Sequence, residues 1–224
     1  MEWNIRRLTP KIFLVEFEDA YDMAMTCLRC QEYYESDNLD FYRKSFDILD
    51  YIEWYAKQHG NKFSYPDDFI GYNFPLNTYW NLMRDDESKF IISNKYDREL
   101  HSIYRGIVEM LECGSLADSC YLIACLKGDA ESMKHEIAHG LYCTDKEYRC
   151  DMDELLRGQS GESWNGLMDF LDEKKYHETV FMDEAQAYIA SQNLDNPDKN
   201  DKYSPEEAKP FVDVLNKYMQ EVNI

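Results

Sequence analysis

Apolar and polar positions alternate along this chain at two different periods, and the switches between them mark out most of its elements. Ile12 to Phe17 is a nearly continuous apolar run rich in branched and aromatic residues, which predicts a short buried strand. From about Glu18 to Tyr34 the period becomes helical, with Ala20, Met23, Ala24, Cys27, Cys30 and Gln31 along one side, until Glu35-Ser36-Asp37-Asn38 breaks the pattern. A second helix is predicted from about Lys44 to Gln58, ended by Gly60. Asn61 to Asp86 mixes aromatics with turn signals (Tyr65-Pro66-Asp67-Asp68, Gly71-Tyr72-Asn73-Phe74-Pro75) and reads as a long irregular segment. Such a segment either covers the core or walls a cleft.

Lys89 to Ser93 reads as a short strand. Tyr96 to Cys113 follows as an amphipathic helix stopped at Gly114, with His101 as an ordinary surface or core histidine. Cys120 to Leu126 is the clearest strand, and Lys127-Gly128-Asp129 turns it directly into another helix with Asp129 as N-cap. Later helices are predicted at about Lys146 to Leu156, Ser163 to Lys174 and Thr179 to Gln192, and Asn193 to Tyr203 reads as an exposed loop. Ser204-Pro205-Glu206-Glu207 is a capping box opening a last helix, although Pro210 implies a kink or a later start. The expectation is a mostly helical α+β chain, with residues 1–224 in one domain: a helical N-terminal half with an aromatic loop (1–115) and a second half (116–224) carrying the chemistry.

Composition narrows what such a chain does. With 44% hydrophobic and 15% aromatic residues it is globular. A net charge of -20 without a lysine or arginine cluster argues against nucleic acid and against an anionic membrane surface, and would favour a basic peptide or protein partner. No apolar run spans a membrane, no secretory hydrophobic core opens the chain, and seven cysteines without a disulfide spacing fit reduced thiols, so the expected location is cytoplasmic. Cys27-x-x-Cys30 falls inside a helical apolar pattern with no second pair to complete four metal ligands, which makes it a pair of core thiols.

The chemistry lies in Met133-Lys134-His135-Glu136-Ile137-Ala138-His139-Gly140-Leu141. Residues four apart on a helix share a face, so His135 and His139 can hold one metal ion between them, with Glu136 beside it as general base toward a metal-bound water. A catalytic zinc needs a third protein ligand. Asp145 stands where a metzincin places its third ligand, but Tyr142 replaces the glycine that lets that chain turn; His177 and Glu178 are loop candidates. Glu184 is the stronger choice, because Ala185 and Ala187 beside it let its helix approach closely.

His-Glu-x-x-His with a later helical glutamate resembles the zincin metallopeptidases of the gluzincin type, and Asp-Glu-x-x-Ala-Tyr after it resembles small bacterial and phage zincin-like proteins. The resemblance runs from about Cys120 to Ala190. It implies a zincin-like core with a short sheet beside the metal helix, an edge strand able to pair with an extended substrate, Zn2+ on His135, His139 and Glu184, and hydrolysis of a peptide or protein. Tyr176, His177 and Tyr188 are the candidate oxyanion donors. Tyr188 also occupies the position, four after the glutamate, where gluzincins often carry an acidic residue that supports the metal site. A non-catalytic zincin-like binding or regulatory protein is the alternative, and a host-directed effector protease differs only in destination. Oligomeric state and cleavage specificity have no sequence signal.

Overall fold

A computed structural model describes residues 1–85, 94–111, 119–174, 176–195 and 202–223. The chain is a mostly helical α+β structure around one four-stranded sheet. Its strands are β1 (Trp3–Arg7), β2 (Ile12–Phe17), β3 (Gly71–Pro75) and β4 (Tyr121–Leu126), in the order β1-β2-β4-β3. The central pair β2 and β4 is parallel, with Leu14 opposite Ile123, and both edge strands run antiparallel to their neighbours. Because β2 lies before residue 115 and β4 after it, the sheet is assembled from both halves of the chain.

The alternation of side chains along each strand divides the interior in two. Phe13, Val15, Phe17, Leu122, Ala124, Tyr72 and Phe74 face a core built with α1 (Ala20–Glu35), α2 (Ile48–Gln58), the short α3 (Tyr65–Asp68), α4 (Asn77–Asp85) and α5 (Lys95–Met110). Ile12, Leu14, Tyr121, Ile123 and Cys125 face a second core, under α6 (Ala130–Thr144), α7 (Lys146–Arg157), α8 (Glu162–Glu173), α9 (Phe181–Ala190) and α10 (Pro205–Met219). The buried Arg29–Asp97 ion pair, at 3.1 Å, ties α1 to α5 within the first half. Cys27 and Cys30 are free, buried thiols of the first core.

Several sequence expectations change. The aromatic segment is not irregular: Asn61 to Asp86 contains α3, the edge strand β3 and α4, with Tyr65, Tyr72, Phe74 and Leu82 buried. The N-terminal half is therefore not purely helical, since three of the four strands come from it. β1 carried no buried-strand pattern because it is an edge strand of mixed burial. The second helix starts at Ile48 rather than Lys44, capped by Asp47, and the helix expected from Thr179 opens as a 3-10 turn, Glu178–Val180. Despite Pro210, α10 begins at the capping box, because Ser204 and Glu207 bond reciprocally there and the proline removes only one backbone donor. The strand expected at Lys89 to Ser93, the stop at Gly114 and most of the loop from Asn193 to Tyr203 lie outside the described residues. Among the described residues no helix is long and apolar enough to cross a membrane.

Candidate metal centre

Gly128, at φ +83°, makes the turn out of β4, and Asp129 caps α6 by accepting from the Ser132 backbone N–H at 3.0 Å. The helix then packs on β4 and β3 and turns His135 and His139 toward α9, with Glu136 against β3. Ala185 and Ala187 are fully buried where the two helices meet, which brings Glu184 against the histidine pair.

His135 Nε2 and His139 Nε2 face each other at 3.2 Å, and Glu184 Oε1 is 3.7 Å from His139 Nε2. Ligands about 2.0–2.1 Å from a tetrahedral metal stand about 3.3 Å apart, so these separations fit a shared divalent cation. The outward nitrogens are also occupied: His139 Nδ1 meets Asp183 Oδ1 at 2.9 Å and His135 Nδ1 meets Ser191 Oγ at 3.3 Å. A protonated Nδ1 given to a carboxylate leaves the inward Nε2 lone pair for a metal. Glu184 Oε2 is buried and has no hydrogen-bond partner. An orphaned carboxylate oxygen is costly to bury, and a cation would remove that cost.

The electrostatics agree. Burial drives His135 well below its ordinary pKa, and His139 adds to the effect. For His139, burial disfavours charge but Asp183 and then Glu184 outweigh it, raising its pKa to about 10. Burial raises Glu184 to about 8 against the pull of His139. The cluster is a buried group of carboxylates around two imidazoles, which is the charge pattern of a cation site.

Glu136 is 5% exposed and is held rather than free. Asn73 Nδ2 of β3 donates to its Oε2 at 2.8 Å, and the Tyr121 hydroxyl donates to Asn73 Oδ1 at 2.5 Å. A Cβ at Gly71 would collide with Glu136 Oε1, so glycine lets β3 pass this carboxylate. Burial raises Glu136 to about 7, with His139 and Asn73 pulling the other way, in the range that suits a general base at neutral pH.

Of the three proposed oxyanion donors, two stand at the cluster. Tyr188 packs its ring edge-to-face on His135, with centroids 4.7 Å apart, and its hydroxyl is 3.4 Å from that of Tyr176. His177 stands elsewhere: it is half-buried, stacked on Tyr42 and bonded through Nδ1 to Thr179 Oγ1, because it caps the 3-10 turn. Glu178 lies in that turn, and Asp145 caps α7; neither joins the histidines. His101 bonds Tyr79 at 2.7 Å on the other side of the sheet.

Sequence reasoning missed the supports. Asp183 supplies the carboxylate that Tyr188 lacks, one position before the candidate ligand Glu184 rather than four after it, and is itself held by Gln186, which accepts from the Tyr148 hydroxyl. Gln31 and Glu35 reach in from α1, where Gln31 Nε2 donates to Glu35 Oε1 at 2.6 Å and Glu35 feels the charge of Glu184. Gln31 on the apolar side of its helix was the one visible sign. β4, which feeds the metal helix, is internal; β3 is the edge strand on this side. Comparison with protein-family models, curated proteins and solved structures returns no match for this chain.

Proposed function

We propose that this chain is a zinc-dependent peptidase of the zincin type, acting on a peptide or protein in a reducing compartment such as the cytoplasm. The observation that carries the reading is the convergence of His135, His139 and Glu184, whose ligand atoms lie within 4.8 Å of one another around an orphaned carboxylate oxygen. Bound there, zinc supplies Lewis acidity, polarising a carbonyl and acidifying water. Glu136 takes the proton of the attacking water and passes it to the leaving amine, oriented for this by Asn73. Asp183 keeps His139 in one tautomer, and Tyr176 and Tyr188 offer hydroxyl donors for the developing oxyanion. The free cysteines among the described residues suit a reducing compartment.

One observation favours the non-catalytic reading: His139, Glu136 and Glu184 are 1%, 5% and 3% exposed, and a structural metal site is closed whereas a catalytic one keeps an open position. A single experiment separates the two. Zinc-loaded protein and its Glu136→Gln variant are incubated with a peptide library, and products and metal content are measured. The peptidase reading expects cleavage that falls by about 10²–10⁴-fold in Glu136→Gln while zinc stays bound. Absence of any cleavage that depends on Glu136 leaves the binding-protein reading.

A further inference from the structure

Beside the metal cluster a cavity of about 810 Å³ opens between α1, α2 and the start of the 176–180 segment. Glu35 and Tyr176 line it, and the Tyr176 hydroxyl is 3.4 Å from that of Tyr188, whose ring packs on His135, so the cavity lies beside the candidate metal centre. Its walls are aromatic, with Tyr51, Trp54, Tyr55 and Phe69, and its acids are Glu32, Glu35, Asp37, Asp68 and Glu173. Against these stand Lys174, 5.8 Å over the Phe170 ring, and His59, stacked on Tyr55.

Two of the acids are unusual. Glu32 and Glu35 are each 7% exposed, one helical turn apart on α1, and among the described residues neither pairs with a lysine or arginine. Hydroxyls of Tyr65, Tyr51 and Ser36 support Glu32, and the Gln31 amide supports Glu35. Hydrogen bonds of this kind orient a buried carboxylate without neutralising it. An aromatic box with oriented carboxylates attracts an organic cation, because ring faces and carboxylates both favour positive charge.

We propose that this cavity is a substrate subsite for an alkylammonium group, carried by a lysine side chain or by a free peptide N-terminus. The assignment as a substrate subsite rests on the peptidase reading, while cation binding does not. Full-length Glu136→Gln protein loaded with zinc is titrated with Nα-acetyl-lysine methylamide, norleucine methylamide and Nα-acetyl-norleucine methylamide, reading the fluorescence of Trp54 against a Trp54→Phe control.

The expected result is binding at least tenfold tighter for an ammonium-bearing probe than for the doubly capped norleucine probe. The tighter of the first two identifies side chain or terminus as the source. Glu32→Gln is expected to weaken that binding about tenfold, and so is Asp37→Lys, which alters an exposed position and leaves the core intact. Equal affinity for the capped norleucine probe, or no Trp54-dependent signal with any probe, overturns the proposal. If the wild-type protein cleaves peptides with no preference for an ammonium at any position, the subsite falls and the peptidase stands. If the cation binds but nothing is cleaved, the cavity is a cation site and the peptidase reading falls.

Discussion

His139 is the residue with the most at stake, since one ring nitrogen faces His135 and the other is bonded to Asp183. Replacing Asp183 by Asn keeps the shape but removes the charge that fixes the tautomer. Zinc affinity, measured by competition with a chromophoric chelator, is expected to fall about 10- to 100-fold, with the fold unchanged by circular dichroism. Gly71 makes a different demand. In Gly71→Ala the new methyl group meets Glu136 Oε1, and the expected outcome is loss of peptide cleavage at unchanged zinc content, with a destabilisation of about 1–3 kcal/mol by urea unfolding. His135, Glu136, His139 and Glu184 were legible because helical spacing and small flanking residues are properties of short sequence. Asp183, Asn73, Gln31 and Glu35 were not, since their role is defined by what lies across the interior from them.

At the scale of elements, α1 and β3 carry the feature that periodicity could not show. β3 is an edge strand, yet the outward backbone N–H of Asn73 is already taken by Gln31 Oε1 at 2.9 Å. α1 thereby blocks the middle of the edge that an extended substrate would pair with, and ties the N-terminal half to the strand holding Glu136. Gln31→Ala would leave the Asn73 N–H and Glu35 Oε1 without this partner. The expected cost is about 1–3 kcal/mol in urea unfolding, together with greater hydrogen exchange at the Asn73 amide. β3 escaped detection for a local reason: Gly71 and Pro75 bound a five-residue run containing Asn73, and those residues signal turns unless a neighbouring strand overrides them. α5 and α7, by contrast, match their predicted spans to within a few residues, and α6 begins at its predicted cap Asp129, because each is long enough for its apolar stripe and its cap to agree.

For the molecule as a whole, the buried acids make stability depend on pH and metal together. Without metal, burial holds Glu32 and Glu136 at about 7 and Glu184 at about 8, while Asp183 and Glu184 overcome burial to hold His139 at about 10. All four folded values lie above the unfolded ones. At these four groups the folded chain binds more protons than the unfolded chain from about pH 4.5 upward, which outweighs the opposite contribution of the single lowered imidazole, His135, and stability falls as pH rises through the carboxylate values and on toward that of His139. The urea midpoint of the metal-free protein is expected to decrease steadily from pH 5 to pH 8, and Glu32→Gln to flatten the lower part of that slope. Zinc at a hundred times its dissociation constant is expected to add about 2.7 kcal/mol at pH 8, read as a raised midpoint that a chelator reverses. A midpoint that rises with pH in the absence of metal would contradict this account of the buried acids.

The sequence by itself determined the class of the chain and half of the candidate site. Helical repeats, caps and one apolar run are written in neighbouring residues, and so is the pairing of two histidines one helical turn apart. Tertiary structure alone decided the sheet order, the burial of Glu32 and Glu35 beside a cavity, and the carboxylate that supports His139. The physical reason is range: hydrogen bonding within a helix acts over four residues, whereas His139 meets Asp183 across 44 positions and Asn73 meets Glu136 across 63.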